Sequence, residues 1–115
     1  MPAVCNITLE NDADFYRAFA YQNADGTPVD ITGASLYMKL RRNAEDTIAV
    51  LELSTDTGEI GITDSVNGLF SIMIKQEVLV ELALGQYDQS LIINLNSIRI
   101  PVWSGLLTIN AGPSR

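Results

Sequence analysis

This chain of 115 residues contains no histidine, a single cysteine and a single tryptophan. Without histidine there is no Ser-His-Asp or Cys-His nucleophilic centre, no imidazole-bound zinc, and no general base of the commonest kind. Cys5, being alone, forms no intramolecular disulfide and builds no thiolate metal site by itself, which fits folding in a reducing compartment. Cations are scarce: 7 Lys and Arg stand against 14 Asp and Glu, for a net charge of −7. Phosphate-mediated binding of nucleic acid needs clustered cations, and the one cluster is Lys39, Arg41 and Arg42. Hydrophobic runs are short, Val78-Leu79-Val80 and Leu91-Ile92-Ile93 among the longest, against the ~20 residues that a membrane helix requires. The N-terminus lacks a basic start and Glu10, Asp12 and Asp14 follow at once, so no signal peptide is expected. No phosphate-binding or dinucleotide glycine fingerprint is present. These absences predict a protein with no catalytic residues, cofactor or metal, and with no nucleic acid, membrane or small-molecule substrate as partner.

What remains is a strong strand pattern. Ala34, Leu36, Met38 and Leu40 alternate with Ser35, Tyr37, Lys39 and Arg41, the period-two signature of a half-buried strand in an antiparallel sheet. Similar patterns run over Val4–Leu9, Asp14–Tyr21, Ile48–Leu53, Glu59–Ile62, Leu69–Ile74, Tyr87–Leu95 and Ile98–Ile109. Turn residues separate them at Asn11-Asp12, Asp25-Gly26-Thr27-Pro28, Thr32-Gly33, Thr55–Gly58, Asp64–Gly68 and Asn96-Ser97, with a loop expected over Asn43–Asp46. Lys75–Leu84 carries helix formers with Val78, Leu79, Leu82 and Ala83 at helical spacing, so a short helix is predicted there and Gly85 is expected to stop it. Pro101 inside the last run predicts an edge position or a bulge, and the tail from Ala111 to Arg115 is expected to fray. Seven to eight short strands at this spacing predict a single domain over residues 1–115, an all-β, immunoglobulin-like antiparallel sandwich with one short helix near 75–84.

Two acidic groups, Glu10/Asp12/Asp14 and Asp56/Glu59/Asp64, offer oxygen ligands of the kind calcium takes, but no loop matches a calcium-ligand spacing and carboxylates also serve simply to cap and solvate turns. Tyr37, Lys39 and Arg41 share the outward phase of their strand and, with Arg42, form a candidate protein-contact patch, or an ordinary solvated face. Trp103 has two readings, an exposed anchor for a partner or a core residue. Cys5 shares its phase with Ile7 and Leu9 and is read as a small buried hydrophobe.

The string Asp25-Gly26-Thr27-Pro28-Val29-Asp30-Ile31-Thr32-Gly33-Ala34, followed by an alternating strand ending in Lys and Arg, resembles a group of small tailed-phage and prophage proteins. The group includes the N-terminal immunoglobulin-like domain of baseplate upper proteins. Gly68-Leu69-Phe70-Ser71-Ile72, the helical stretch Glu77 to Leu84, Gly85-Gln86-Tyr87-Asp88 and the final strand Ile98–Ile109 extend the resemblance over nearly the whole chain. It implies a non-enzymatic virion component of tail, neck or baseplate, assembled in the bacterial host cytoplasm, contacting other virion proteins and associating with itself. A head decoration protein is the alternative within that class; a carbohydrate or cell-surface binding module is the alternative outside it.

Overall fold

The computed structural model describes residues 3–43 and 45–113. Nine strands and one helical turn follow in order: β1 (Ala3–Val4), β2 (Ile7–Glu10), β3 (Phe15–Ala20), β4 (Ser35–Arg41), β5 (Leu51–Ser54), β6 (Ile60–Asp64), β7 (Leu69–Ile74), α1 (Gln76–Leu79), β8 (Gly85–Leu95) and β9 (Ile98–Asn110). They form two sheets. One has the order β1-β9-β8-β4-β5, with β2 following β1 along the same edge of β9; the other has the order β3-β7-β6. This is the expected two-sheet, nearly all-β sandwich. Taking β3 as strand B, the two orders read B-E-D and G-F-C-C′, as in immunoglobulin sandwiches.

The alternating phases explain why the sheets pack. Leu36, Met38 and Leu40 of β4, Tyr87, Leu91 and Ile93 of β8, and Leu107 and Ile109 of β9 point inward from the larger sheet. Phe70, Ile72 and Ile74 of β7 and Ile60 of β6 meet them from the smaller sheet. Phe19 stacks 5.6 Å from Phe70, and Trp103 lies 4.9 Å from Phe19 and 6.0 Å from Phe70, so an aromatic trio spans the two layers.

The chain departs from the sequence reading in four places. The first strand is two, and both pair parallel with β9 where an antiparallel sheet was expected. The break at Cys5-Asn6 has a cause: the Asn6 Oδ1 takes the backbone N–H of Leu106, and the Cys5 carbonyl accepts from the Gln89 side chain. Gly105 permits this, since a Cβ there would sit 2.3 Å from the Cys5 carbonyl oxygen. Second, the helix covers only Gln76–Leu79, its first N–H capped at 2.7 Å by Asp14 Oδ1 from across the turn. Leu79 is its buried anchor, Ala83 is exposed, and Gly85 opens β8 instead of merely ending the helix. Third, β5 begins at Leu51, leaving Ile48 and Val50 exposed. Fourth, Gly112 is buried, its N–H donating to Asn11 Oδ1 at 3.0 Å, so the chain stays docked beyond Ala111. Residue 44 of the expected loop and residues 114–115 of the expected frayed tail lie outside the described residues.

The bulge expected at Pro101 is present. Leu91 faces Trp103 while Ile92 faces Pro101, so Val102 is the extra residue and both Val102 and Trp103 turn inward. Asn96 and Ser97 both have positive φ, the two-residue hairpin geometry whose twist suits the β8–β9 pair. At the start of β8 the Tyr87 hydroxyl donates to the Ala83 carbonyl, the tyrosine corner of immunoglobulin-like sandwiches.

Candidate functional site

The turn motif of residues 25–34 is a fastening of the fold. Asp25 accepts from both the backbone N–H and the hydroxyl of Thr27, and Asp30 does the same for Thr32. These bonds, the hydroxyl's being the larger influence, hold both carboxyls below the usual carboxylate range. Ile31, between Asp30 and Thr32, is fully buried, and its N–H reaches the Ser65 carbonyl in the β6–β7 turn. Gly68 closes that turn with φ of +70°, and a Cβ there would meet the carbonyl oxygens of Tyr21 and Val29 at 2.6 Å. The motif thus ties the β3–β4 loop to the β6–β7 turn at one end of the sandwich.

Three members of the acidic groups are also engaged locally. Asp14 contacts Lys75 at 3.6 Å besides capping α1, and Asp64 takes the amide of Asn67 at 2.8 Å. Burial works against the charge on Glu59, yet bonds from the Thr57 hydroxyl and nearby backbone N–H groups leave its carboxyl below the usual range. Among the described residues no three His, Cys, Asp or Glu side chains gather where a metal ion would sit. Cys5 is half-buried, and desolvation pushes its thiol up, against an opposing pull from Arg17. Among those residues no helix is long and apolar enough to cross a membrane.

The outer face of the larger sheet is the surface that brings the sequence-selected side chains together. Strand register sets them in rows. Arg41 neighbours Asp88, which neighbours Leu106. Lys39 leads through Ser90 and Ser104 to Val4, and Tyr37 leads through Ile92 to Pro101. All of these except Pro101 line a concavity of about 720 Å³, with Arg99 at its β8–β9 end. Lys39 is paired with Glu52 at 3.2 Å, and Arg41 Nε donates to the Asp46 carbonyl at 2.9 Å. Arg42 lies at the far end of this surface, its guanidinium 4.8 Å from the Tyr87 ring centroid and beside a second hollow of about 490 Å³.

Trp103 is elsewhere. It is 7 % exposed and in the core, its Nε1–H donating to Gln89 Oε1 at 2.8 Å, so the exposed-anchor reading is corrected. The bulge turned it inward. Val4, Ile92, Arg99 and Leu106 were not singled out from the sequence. Ile92 and Leu106 are legible in hindsight as apolar residues on the outward phase of their strands, whereas Val4 and Arg99 join the face only through pairing with distant strands.

Sheet edges are poorly suited to recruiting another strand. β5 has four residues, β6 is bulged between Ile62 and Asp64, and the β1–β2 edge is broken. On the free side of β3, Arg17 occupies an inward phase, an edge charge that opposes further pairing. The faces therefore offer the broader open surface.

No protein-family model matches the sequence, and no curated protein does. Among solved structures, the N-terminal domain of phage TP901-1 ORF48 superposes with a TM-score of 0.56, covering 96% of this chain and 90% of that one. The two share a fold. At 14% identity the likeness concerns architecture, and it extends over both chains almost from end to end.

Proposed function

We propose that this domain is a non-enzymatic structural component of a phage virion, placed in the tail, neck or baseplate and acting through contacts with other virion proteins. The observation that carries the reading is the near end-to-end superposition on a phage domain, 96% of this chain and 90% of the other. An immunoglobulin-like strand order, the tyrosine corner and the 25–34 fastening support the same kinship. The mechanism is shape. Two packed sheets hold Tyr37, Lys39 and Arg41 rigidly on one face, with Arg42 at its margin, while blunted edges limit unspecific strand pairing. Symmetric self-association, common among structural proteins, accompanies this role.

Deleting the gene from its phage and imaging the particles by negative-stain electron microscopy tests the proposal. Defective tails, necks or baseplates are expected. Intact tails with knobs missing from the capsid would transfer the protein to head decoration, and wild-type particles free of the protein would overturn the virion reading altogether.

A further inference from the structure

We propose that the concave outer face of the larger sheet is the docking site for an acidic segment of a second protein, its carboxylates received by Lys39, Arg41 and Arg99 around the apolar anchors Val4, Ile92 and Leu106. The inference rests on the contact-making role above and names the chemistry of the partner.

Charge is the first argument. The chain has twice as many acidic as basic residues, yet three of its seven cations line this one hollow and a fourth, Arg42, flanks it. Asp88 is the single carboxylate among the lining side chains, and Glu52, paired with Lys39 at 3.2 Å, is the carboxylate at the margin that an incoming one displaces. A cationic hollow on a protein of net charge −7 complements an anionic segment and steers it on approach. The second argument is apolar surface. Val4 is 77% and Leu106 37% exposed, and Ile92 is half-buried between them and Tyr37, leaving anchors whose burial would supply affinity beyond the charges.

A second copy of the chain fits this face less well, because Asp25, Asp30, Glu59 and Asp64 already accept bonds in their own turns, so self-association is expected through other surfaces. The outward face of the smaller sheet supplies an internal comparison. Tyr16, Ala18 and Ala20 of β3, Gly61 of β6 and Ser71 of β7 share it, and none is charged, so nothing there attracts an anionic segment.

The test is a ¹⁵N–¹H NMR titration of the 115-residue chain with a synthetic peptide of Asp and Glu interspersed with leucine, beside a control peptide with lysine in place of the acids. Shifts are expected at the amides of Tyr37, Lys39, Ser90, Ile92 and Leu106, fading as salt is raised from about 0.05 to 0.5 M. The triple variant K39E/R41E/R99E should bind roughly tenfold more weakly. Mapping on the unaltered chain does not depend on that variant folding. Shifts confined to Tyr16, Ala18 and Ser71, no shifts at all, or equal binding of the lysine peptide would overturn the proposal. So would light scattering that shows dimers of the unaltered chain and monomers of the triple variant, which would give the face to a second copy. Because the titration uses the isolated chain, its failure leaves the position in the virion untouched, and a particle lacking the protein leaves the titration standing.

Discussion

Gln89→Met preserves the length of a buried side chain and removes both of its hydrogen bonds. Gln89 is 4% exposed; its Nε2 donates to the Cys5 carbonyl at 2.6 Å and its Oε1 accepts from Trp103 at 2.8 Å. The substitution leaves an indole N–H and a carbonyl without partners, each costing about 1–3 kcal/mol when buried. Methionine regains part of that through apolar packing, so the expected loss is about 3 kcal/mol of a total on the order of 10 kcal/mol. For a domain of this size that lowers Tm by roughly 10–15 °C. Urea unfolding followed by the fluorescence of Trp103, the only tryptophan, reads both the stability and the indole's surroundings. A double-mutant cycle with Trp103→Phe, followed by circular dichroism because that change removes the only tryptophan, should show a coupling of about 1 kcal/mol or more. A loss under about 1 kcal/mol with additive single effects would refute a Trp103–Gln89–Cys5 chain joining β9, β8 and the break between β1 and β2.

Gly105→Ala places a Cβ against the Cys5 carbonyl, and should cost more than about 2 kcal/mol and speed hydrogen exchange over Ile7–Glu10; unchanged exchange there would contradict the close approach. Tyr87→Phe loses the bond to Ala83 and should destabilise by about 1 kcal/mol in thermal melts, with no loss counting against the tyrosine corner. Asp30 has a depressed folded pKa, so its contribution is full above the unfolded value near 4 and disappears as pH falls through the folded value. Melts from pH 6 to 2 should therefore show a smaller acid-dependent decline for Asp30→Asn than for the unaltered chain, and parallel declines would oppose the assignment. Cys5, with its thiol pushed up, should react with a maleimide at pH 7 more slowly than a cysteine placed at exposed Ser104; equal rates would deny its shelter.

Local chemistry made much of this fold legible. Period-two alternation located β4 and β7 and their inward residues, because a half-buried strand imposes that pattern whatever it pairs with. The same indifference hid the parallel pairing of β1 and β2 with β9, since alternation carries no information about strand direction. At Trp103 the Val102 bulge inserts one residue and turns both Val102 and Trp103 to the core, which alternation alone could not decide, so both readings of the side chain stood open in the sequence. Gln89 was passed over because a polar residue at an inward position reads as a break in the pattern, and its two partners lie on strands brought together only by folding. The helix was overestimated because the Val78, Leu79, Leu82, Ala83 spacing suits a helix, while docking needs only Leu79 buried and Val78 and Leu82 half-buried. Of the candidate contact face, the β4 side chains were readable, and the residues from β1, β8 and β9 were supplied by register.

Cryo-electron microscopy of the intact particle would show where this sandwich sits and which of its faces meets a neighbour. Density for this sandwich is expected in the tail, neck or baseplate, with the Tyr37–Lys39–Arg41 face covered by a neighbouring protein's acidic segment. Density in which that face is bare to solvent while the Tyr16–Ala18–Ser71 face is covered would contradict that expectation.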